Sequence, residues 1–443
     1  MKVAAYPTYD RCKDSGIDWV GQIPAHWDEK RLKHLGVLYA GLAGKAGDDF
    51  SKEQREGFLP FVPFVSVANF SSVPPQFDYV RAKEDERQSR VRKGDILFLM
   101  SSETEEDIAR SALFDLDGIE PFLNSFCKGF RCDPSRIMPA FTNYLLMAKA
   151  YRDYFSTSAR GFTRINLKQE YILNARILLP PLPEQRAIAA FLDEKCAKID
   201  DAVRIKEAQI GLLRERRQIL IQDAVTRGLN PDAPMKDSGI DWIGQIPAHW
   251  EVLPLKRLFR ERNDRSTTGT ETLLSLRMNE GLVPHDDVSD KAIDADALKD
   301  YKQVFPRQLV MNRMRASIGI FGVVTASGIV SPDYAIFDIA PRANADFFLQ
   351  LFKTGVMGQQ FRNASRGLGT GSSGFMRLYT DNFGAISVAL PPAAEQSEIV
   401  FHINDLLENI GDAVRLKEEQ IIMLKEYKTC LINAAVTGKI KVT

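Results

Sequence analysis

The chain has 443 residues, 44% of them hydrophobic and 26% charged, too long for one ordinary core and suited to two or more globular domains. Its 58 basic residues equal its 58 acidic ones, so no whole-molecule field advertises a nucleic-acid partner, and any such partner must be held by local patches or with another protein's help. No apolar run reaches the roughly 18 residues of a membrane span, and "MKVAAYPTYDRCK" lacks a signal-peptide core, so a cytoplasmic protein without a membrane partner is expected. The five cysteines (Cys12, Cys127, Cys132, Cys196, Cys430) are odd in number and none is duplicated, which favours free thiols.

The opening segment "KDSGIDWVGQIPAHW" at 13–27 returns as "KDSGIDWIGQIPAHW" at 236–250, with Val20 exchanged for Ile243. Its "IPAHW" is expected to form an extended turn anchored by Trp27 and Trp250. His26 and His249 have no Cys, Asp or Glu at a ligand spacing that both copies share, so the segment reads as a structural joint and not as a metal site.

A variable block follows. "FLPFVPFVSV" at 58–67 and "GDILFLM" at 94–100 read as strands, and "MPAFTNYLLMAKAYRDYF" at 138–155 has helical periodicity. Cys127 and Cys132 lack a second pair to complete a tetrahedral zinc site, so no metal is expected. Two stretches offer donors suited to phosphate and base-edge contacts. "LMSSETEEDIARS" at 99–111 supplies Ser101, Ser102 and Arg110, and the loop "SARGFTRINLKQEY" at 158–171 supplies Arg160, Thr163, Arg164 and Lys168.

Next, a Pro-Pro stop (Pro180, Pro181) and a Glu-Gln pair introduce a long helix, the acidic residue suiting the helix dipole. Steps of four and three give a seam of Leu192, Cys196, Ile199, Val203, Lys206, Ile210, Leu213, Arg217, Leu220 and Ala224. About 43 such residues at about 1.5 Å each make a rod of roughly 65 Å. "TRGLNPDAP" at 226–234 is a linker, after which the opening segment repeats.

The second block repeats the order with different residues: strands in "QLVMNRM" at 308–314 and "IGIFGVVTA" at 318–326, then a helix in "ADFFLQLFKTGVMGQQF" at 345–361. "MNRMRASIG" occupies the place of "LMSSETEEDIARS" and offers Asn312, Arg313, Arg315 and Ser317. "SRGLGTGSSGFMRLYT" offers Arg366, Thr370, Ser372, Ser373 and Arg377. Its Gly369, Gly371 and Gly374 match G-x-G-x-x-G, but no strand precedes and no helix opens there, so a dinucleotide site is not expected. A second Pro-Pro stop (Pro391, Pro392) opens a second long helix with Ile403, Leu407, Ile410, Val414, Lys417, Ile421, Leu424, Lys428, Leu431 and Ala435 in the same register. The shared register, polar interruptions included, predicts that the two helices pair with each other.

These readings give an α+β chain: two globular mixed α/β domains separated by two long helices that form an antiparallel coiled coil, in a pseudo-two-fold internal repeat. The blocks are 1–179, 180–234, 235–390 and 391–443. There is no phosphate loop, H-E-x-x-H or nucleophile elbow, so no catalytic residue is assigned. "HDD" at 285–287 and "SSETEED" at 101–107 are not duplicated and read as solvated loop charge.

The layout resembles the specificity (S) subunit of type I restriction-modification enzymes. The resemblance rests on "KDSGIDWIGQIPAHW" and on "LLPPLPEQRAIAAFLDEKCAKID" leading into a helix that ends "DAVTRG", each occurring twice in one form or another, and it spans nearly the whole chain. It implies a non-catalytic subunit whose two target-recognition domains each read one half of a split site in double-stranded DNA. It also implies two methyltransferase subunits that bind S-adenosylmethionine and dock on the helices, and restriction subunits that use ATP and Mg, this chain itself binding no cofactor. The rival expectation is a tandem-repeat coiled-coil scaffold without DNA specificity.

Overall fold

The computed structural model describes residues 6–83, 87–161, 164–289, 293–367 and 376–442. The chain divides into two compact units, one of Met1–Lys206 with Glu418–Thr443, the other of Glu207–Lys417. Each unit therefore takes part of each long helix together with one variable block.

In the first unit a four-stranded antiparallel sheet runs in the order Ser111–Phe114, Asp95–Leu99, Cys127–Cys132, Gly36–Ala40. The inner strand Asp95–Leu99 is buried along its whole length, and its side chains alternate between two cores as a pleated strand requires. Ile96 and Phe98 pack under the helices Pro139–Met147 and Lys149–Ser158, whereas Leu97 and Leu99 face a separate cluster with Val62, Phe114 and Leu123. A smaller sheet of Phe122–Leu123, Phe58–Val62, Asp78–Arg81 and Phe50–Ser51 completes the block. The strand expected over 58–67 holds only to Val62. Pro63, which has no amide donor for a ladder, caps a short helix at Phe64–Asn69 instead. The helix expected at 138–155 is broken at Ala148, which sits in extended conformation.

The second unit carries the same sheet. Its order is Phe259–Arg262, Tyr334–Ile339, Leu309–Asn312, Phe321–Val323, again antiparallel throughout. Leu309 and Met311 enter the core under the helices, while Val310 joins the opposite cluster. The helix expected at 345–361 is again two, Ala345–Phe352 and Gly355–Ala364, the second capped by the Thr354 hydroxyl. This core is rich in phenylalanine: Phe259, Phe321, Phe337, Phe352, Phe361 and Phe383 form edge-to-face, tilted and stacked ring contacts.

The long helices run Leu182–Arg227, 46 residues, and Ala393–Val436, 44 residues. Of the predicted seam, Leu192, Ile199, Val203 and Ile210 are buried on the first helix, with Leu213 and Leu220 half-buried. On the second, Ile403, Ile410, Ile421 and Leu431 are buried, with Val414 and Leu424 half-buried. In the first unit Lys206 donates to Gln420 Oε1 at 2.7 Å and Lys428 to Asp200 at 2.7 Å, a pairing in which one helix descends in number as the other climbs. In the second unit Lys417 donates to Gln209 Oε1 at 2.7 Å. Lys206 and Lys417 thus each meet the glutamine that lies three residues beyond the other, while Lys428 meets a carboxylate.

All five cysteines are free, and burial pushes the Cys127 thiol up to about 12. Among the described residues no cluster of three or more His, Cys, Asp or Glu suits a metal ion, and no helix is long and apolar enough to cross a membrane.

Candidate nucleic-acid interface

The duplicated opening segments build the frame. In the first unit Cys12–Asp14 pairs with Gln22–Pro24, and Trp27 is fully buried against the end of the second long helix. That helix stops at Gly438, whose positive φ of 70° suits the left-handed turn, and a Cβ there would stand 2.3 Å from Pro24 and 3.3 Å from Trp27. In the second unit Met235–Asp237 pairs with Gln245–Pro247, and Gly228 ends the first long helix against Trp250 with φ 76°. Each histidine meets a helix glutamate, His26 with Glu184 at 2.8 Å and His249 with Glu395 at 2.7 Å. Trp250 Nε1 also donates to Glu395, at 3.1 Å, while Trp27 Nε1 is buried with no hydrogen-bond partner among the described residues.

The Glu-Gln pair does more than suit a helix dipole. Gln185, fully buried, accepts from Met138 N at 2.8 Å and donates to Pro180 O, tying the start of the Pro139–Met147 helix to the long helix. Gln396 repeats this with Asn344 N at 2.7 Å and Pro391 O.

On this frame the two candidate loops of each unit come together. In the first unit Ser101–Ser102 pairs with Ile165–Asn166, and Leu167 N donates to Met100 O at 3.0 Å. In the second, Leu378 N donates to Arg313 O at 2.9 Å, the equivalent bond. Arg160 bridges Asn166 as Arg366 bridges Arg377. Stretches some sixty residues apart in sequence thereby form one surface at the end of the inner strand.

The candidate side chains divide by what they already hold. Arg164 is exposed, its guanidinium 4.7 Å from the ring centre of Phe126, beside a hollow also lined by Ser101, Lys128 and Asn166. Lys168 is exposed, with Glu170 at 3.8 Å. Arg110, though exposed, bonds Asp107 at 3.0 Å and Ala68 O at 2.6 Å, and Arg160, also exposed, donates to the helix-end carbonyls of Thr157 and Ala159. In the second unit Arg315 and Arg366 are exposed and Arg377 is held by Asp333 at 2.9 Å. Arg313, only 20% exposed, pairs with Glu261 at 2.5 Å, and Thr380 donates to the same carboxylate. Buried Asn312 uses its side-chain oxygen to fix the turn through Met314 N and Arg315 N, and Ser317 lies half-buried where its backbone packs on Gly358. Thr163, Thr370, Ser372 and Ser373, and the Gly369, Gly371 and Gly374 motif, lie outside the described residues.

Phe126, Lys128 and Asp333 belong to this surface but escape a reading of loops alone. They sit at the start of the inner strands Cys127–Cys132 and Tyr334–Ile339, where the sequence shows only strand composition.

Residues 24–209 match a family model described as the type I restriction modification DNA specificity domain. The chain is similar to the type I restriction enzyme MjaVIII specificity subunit of Methanocaldococcus jannaschii, 22% identical over 95% of this chain and 94% of the relative. It is also similar to the type I restriction enzyme EcoKI specificity subunit of Escherichia coli K12, 22% identical over 87% and 83% of the two chains. Among solved structures, a chain from work on complex assembly and conformational transition of the type I R-M system shares the fold, with TM-score 0.68 at 14% identity over 94% of this chain and 98% of that one.

Proposed function

We propose that this chain is a specificity subunit of a type I restriction-modification enzyme and that its two units each read one half of a bipartite site in double-stranded DNA. It is the DNA-recognition subunit of such a system; a coiled-coil scaffold without DNA specificity finds no support in the matched specificity domain. One observation carries the two-reader reading. The sheet, the helix pair, the joining leucine bond and the tryptophan joint occur twice, while the side chains exposed at the end of each inner strand differ. A duplicated frame with unlike contents suits an asymmetric split site, as symmetry in a dimer is mirrored in its half-sites.

The paired helices set the spacing of the two half-sites and dock two methyltransferase subunits, with restriction subunits joining them in the cytoplasm. A 46-residue helix has a contour of about 69 Å, enough for one to two turns of DNA at about 34 Å each. The methyltransferases would hold S-adenosylmethionine and the restriction subunits ATP and Mg, so that this chain supplies address and orientation without a cofactor of its own. Zero net charge fits that division, because few phosphates can be neutralised by this chain alone and tight binding falls to the assembled complex.

The test is to express the chain with its methyltransferase subunits and map N6-methyladenine across the genome by single-molecule sequencing. A split motif with a fixed number of unread bases between its halves is expected. A stable complex that methylates no such motif would remove the two-reader reading.

A further inference from the structure

The residue immediately before the inner strand plays the same part in both units with different chemistry. Strand register places Phe126 and Asp333 at matching positions: Cys127 pairs with Leu99 and Tyr334 with Asn312, and the next residues, Met100 and Arg313, accept the joining leucine bonds. In each unit that residue supports an arginine from the facing loop, Phe126 beneath Arg164 and Asp333 beside Arg377. Arg313 is held inside the protein, and Arg110 and Arg160, though exposed, are tied to backbone carbonyls of their own neighbourhood, whereas Arg164 is exposed and Arg377, half-buried, is held only by the strand-start carboxylate and the backbone bridge to Arg366.

An arginine held this way is prepared for one kind of base. Stacking on a ring leaves the whole N–H edge of Arg164 open, and a carboxylate on one terminal nitrogen of Arg377 fixes the plane of its fork while the remaining donors point elsewhere. Either support removes rotamer freedom before DNA arrives, so less is lost on contact. A planar fork of parallel donors matches the O6 and N7 acceptors on the major-groove edge of guanine, a pattern no other base presents.

We propose that Arg164 and Arg377 each read a guanine, one in each half of the split site, with Phe126 and Asp333 as their positioning residues. This rests on the two-reader assignment above.

The test uses the chain co-expressed with its methyltransferase subunits, with genome-wide N6-methyladenine mapping for the wild type and for R164A, R164K, R377A, F126A and D333A. Each half of the wild-type motif should contain a G·C pair. R164A should lose about 5- to 150-fold of discrimination at one such pair in one half only, and R377A likewise in the other half. F126A and D333A should relax the same position as the arginine each supports, by a smaller factor. The half left intact shows that the variant folds and assembles. If R164A abolishes methylation, R164K decides: it keeps the charge without the fork, so relaxed specificity at that pair supports the proposal and unchanged specificity overturns it. A wild-type half-site without a G·C pair, or arginine variants that leave the motif unchanged, also overturn it. A wild type that yields no split motif overturns the two-reader assignment itself.

Discussion

Around the start of the inner strand the two units make the same backbone bonds, Leu167 to Met100 in one and Leu378 to Arg313 in the other, yet the side chains displayed there are Phe126 with Arg164 against Asp333 with Arg377. The joint behaves in the opposite way. Trp27 and Trp250, His26 and His249, Glu184 and Glu395, and Gln185 and Gln396 are the same residues in the same places, the one difference among them being the indole bond that only Trp250 makes to its glutamate. Buried groups that satisfy backbone donors admit few substitutes, whereas exposed loop ends change their chemistry without disturbing the core. A frame of the first kind carrying contents of the second is what lets one scaffold display two different surfaces.

Breaking the frame should cost most. W27A and W250A are each expected to lose about 3–5 kcal/mol, read by urea denaturation, because both side chains are fully buried. A much smaller loss at one of them would show that the joints are not equivalent. A finer comparison follows from the indole N–H groups. W250F should cost more than W27F by about 1.5–3 kcal/mol, since only Trp250 donates to a carboxylate.

Along the helices the effects are smaller and again unequal. Asp200 receives Lys428, but Gly411 stands at the matching place of the second helix, opposite Arg217. Thus K428A should cost a few tenths to about 1 kcal/mol in the same assay, with R217A close to neutral. Equal losses would mean that the two polar interruptions act alike in spite of the glycine.

The last difference is one of pH. Arg176 donates to Glu29 at 2.6 Å and holds its carboxyl below the ordinary 4.5, while the matching positions of the second unit are Val252 and Ser387. A lowered carboxylate pKa contributes stability that is complete above pH 4.5 and is lost as pH falls through the folded value. Thermal melts from pH 6 down to about 3 should therefore show a small acid loss that E29Q diminishes, the Glu29–Arg176 term belonging to the first unit alone. An unchanged pH profile in E29Q would remove this pair as a source of acid sensitivity.

Much of this architecture was legible in the sequence because it is periodic. The repeat exposed the two halves, and the steps of four and three marked a seam whose leucines and isoleucines are buried or half-buried in the folded chain. What remained hidden depends on distant partners. Arg313 reads as a loop donor, yet Glu261, 52 residues away, already holds it, and Arg110 is turned toward Ala68. Phe64, Val65 and Val67 read as strand because such residues favour one, and only Pro63 and the packing of Val67 and Ala68 into a core decide for a helix. Phe126 and Asp333 carry no local signal, because their meaning comes from the arginine that folding brings across from another loop.

The central claim is that each unit reads its own half-site, and exchanging the block 252–388 for that of a similar specificity subunit tests it most directly. With the methyltransferase subunits co-expressed and N6-methyladenine mapped, one half of the motif should change while the other half and the gap stay as they were. A motif altered in both halves, or in neither, would contradict independent reading.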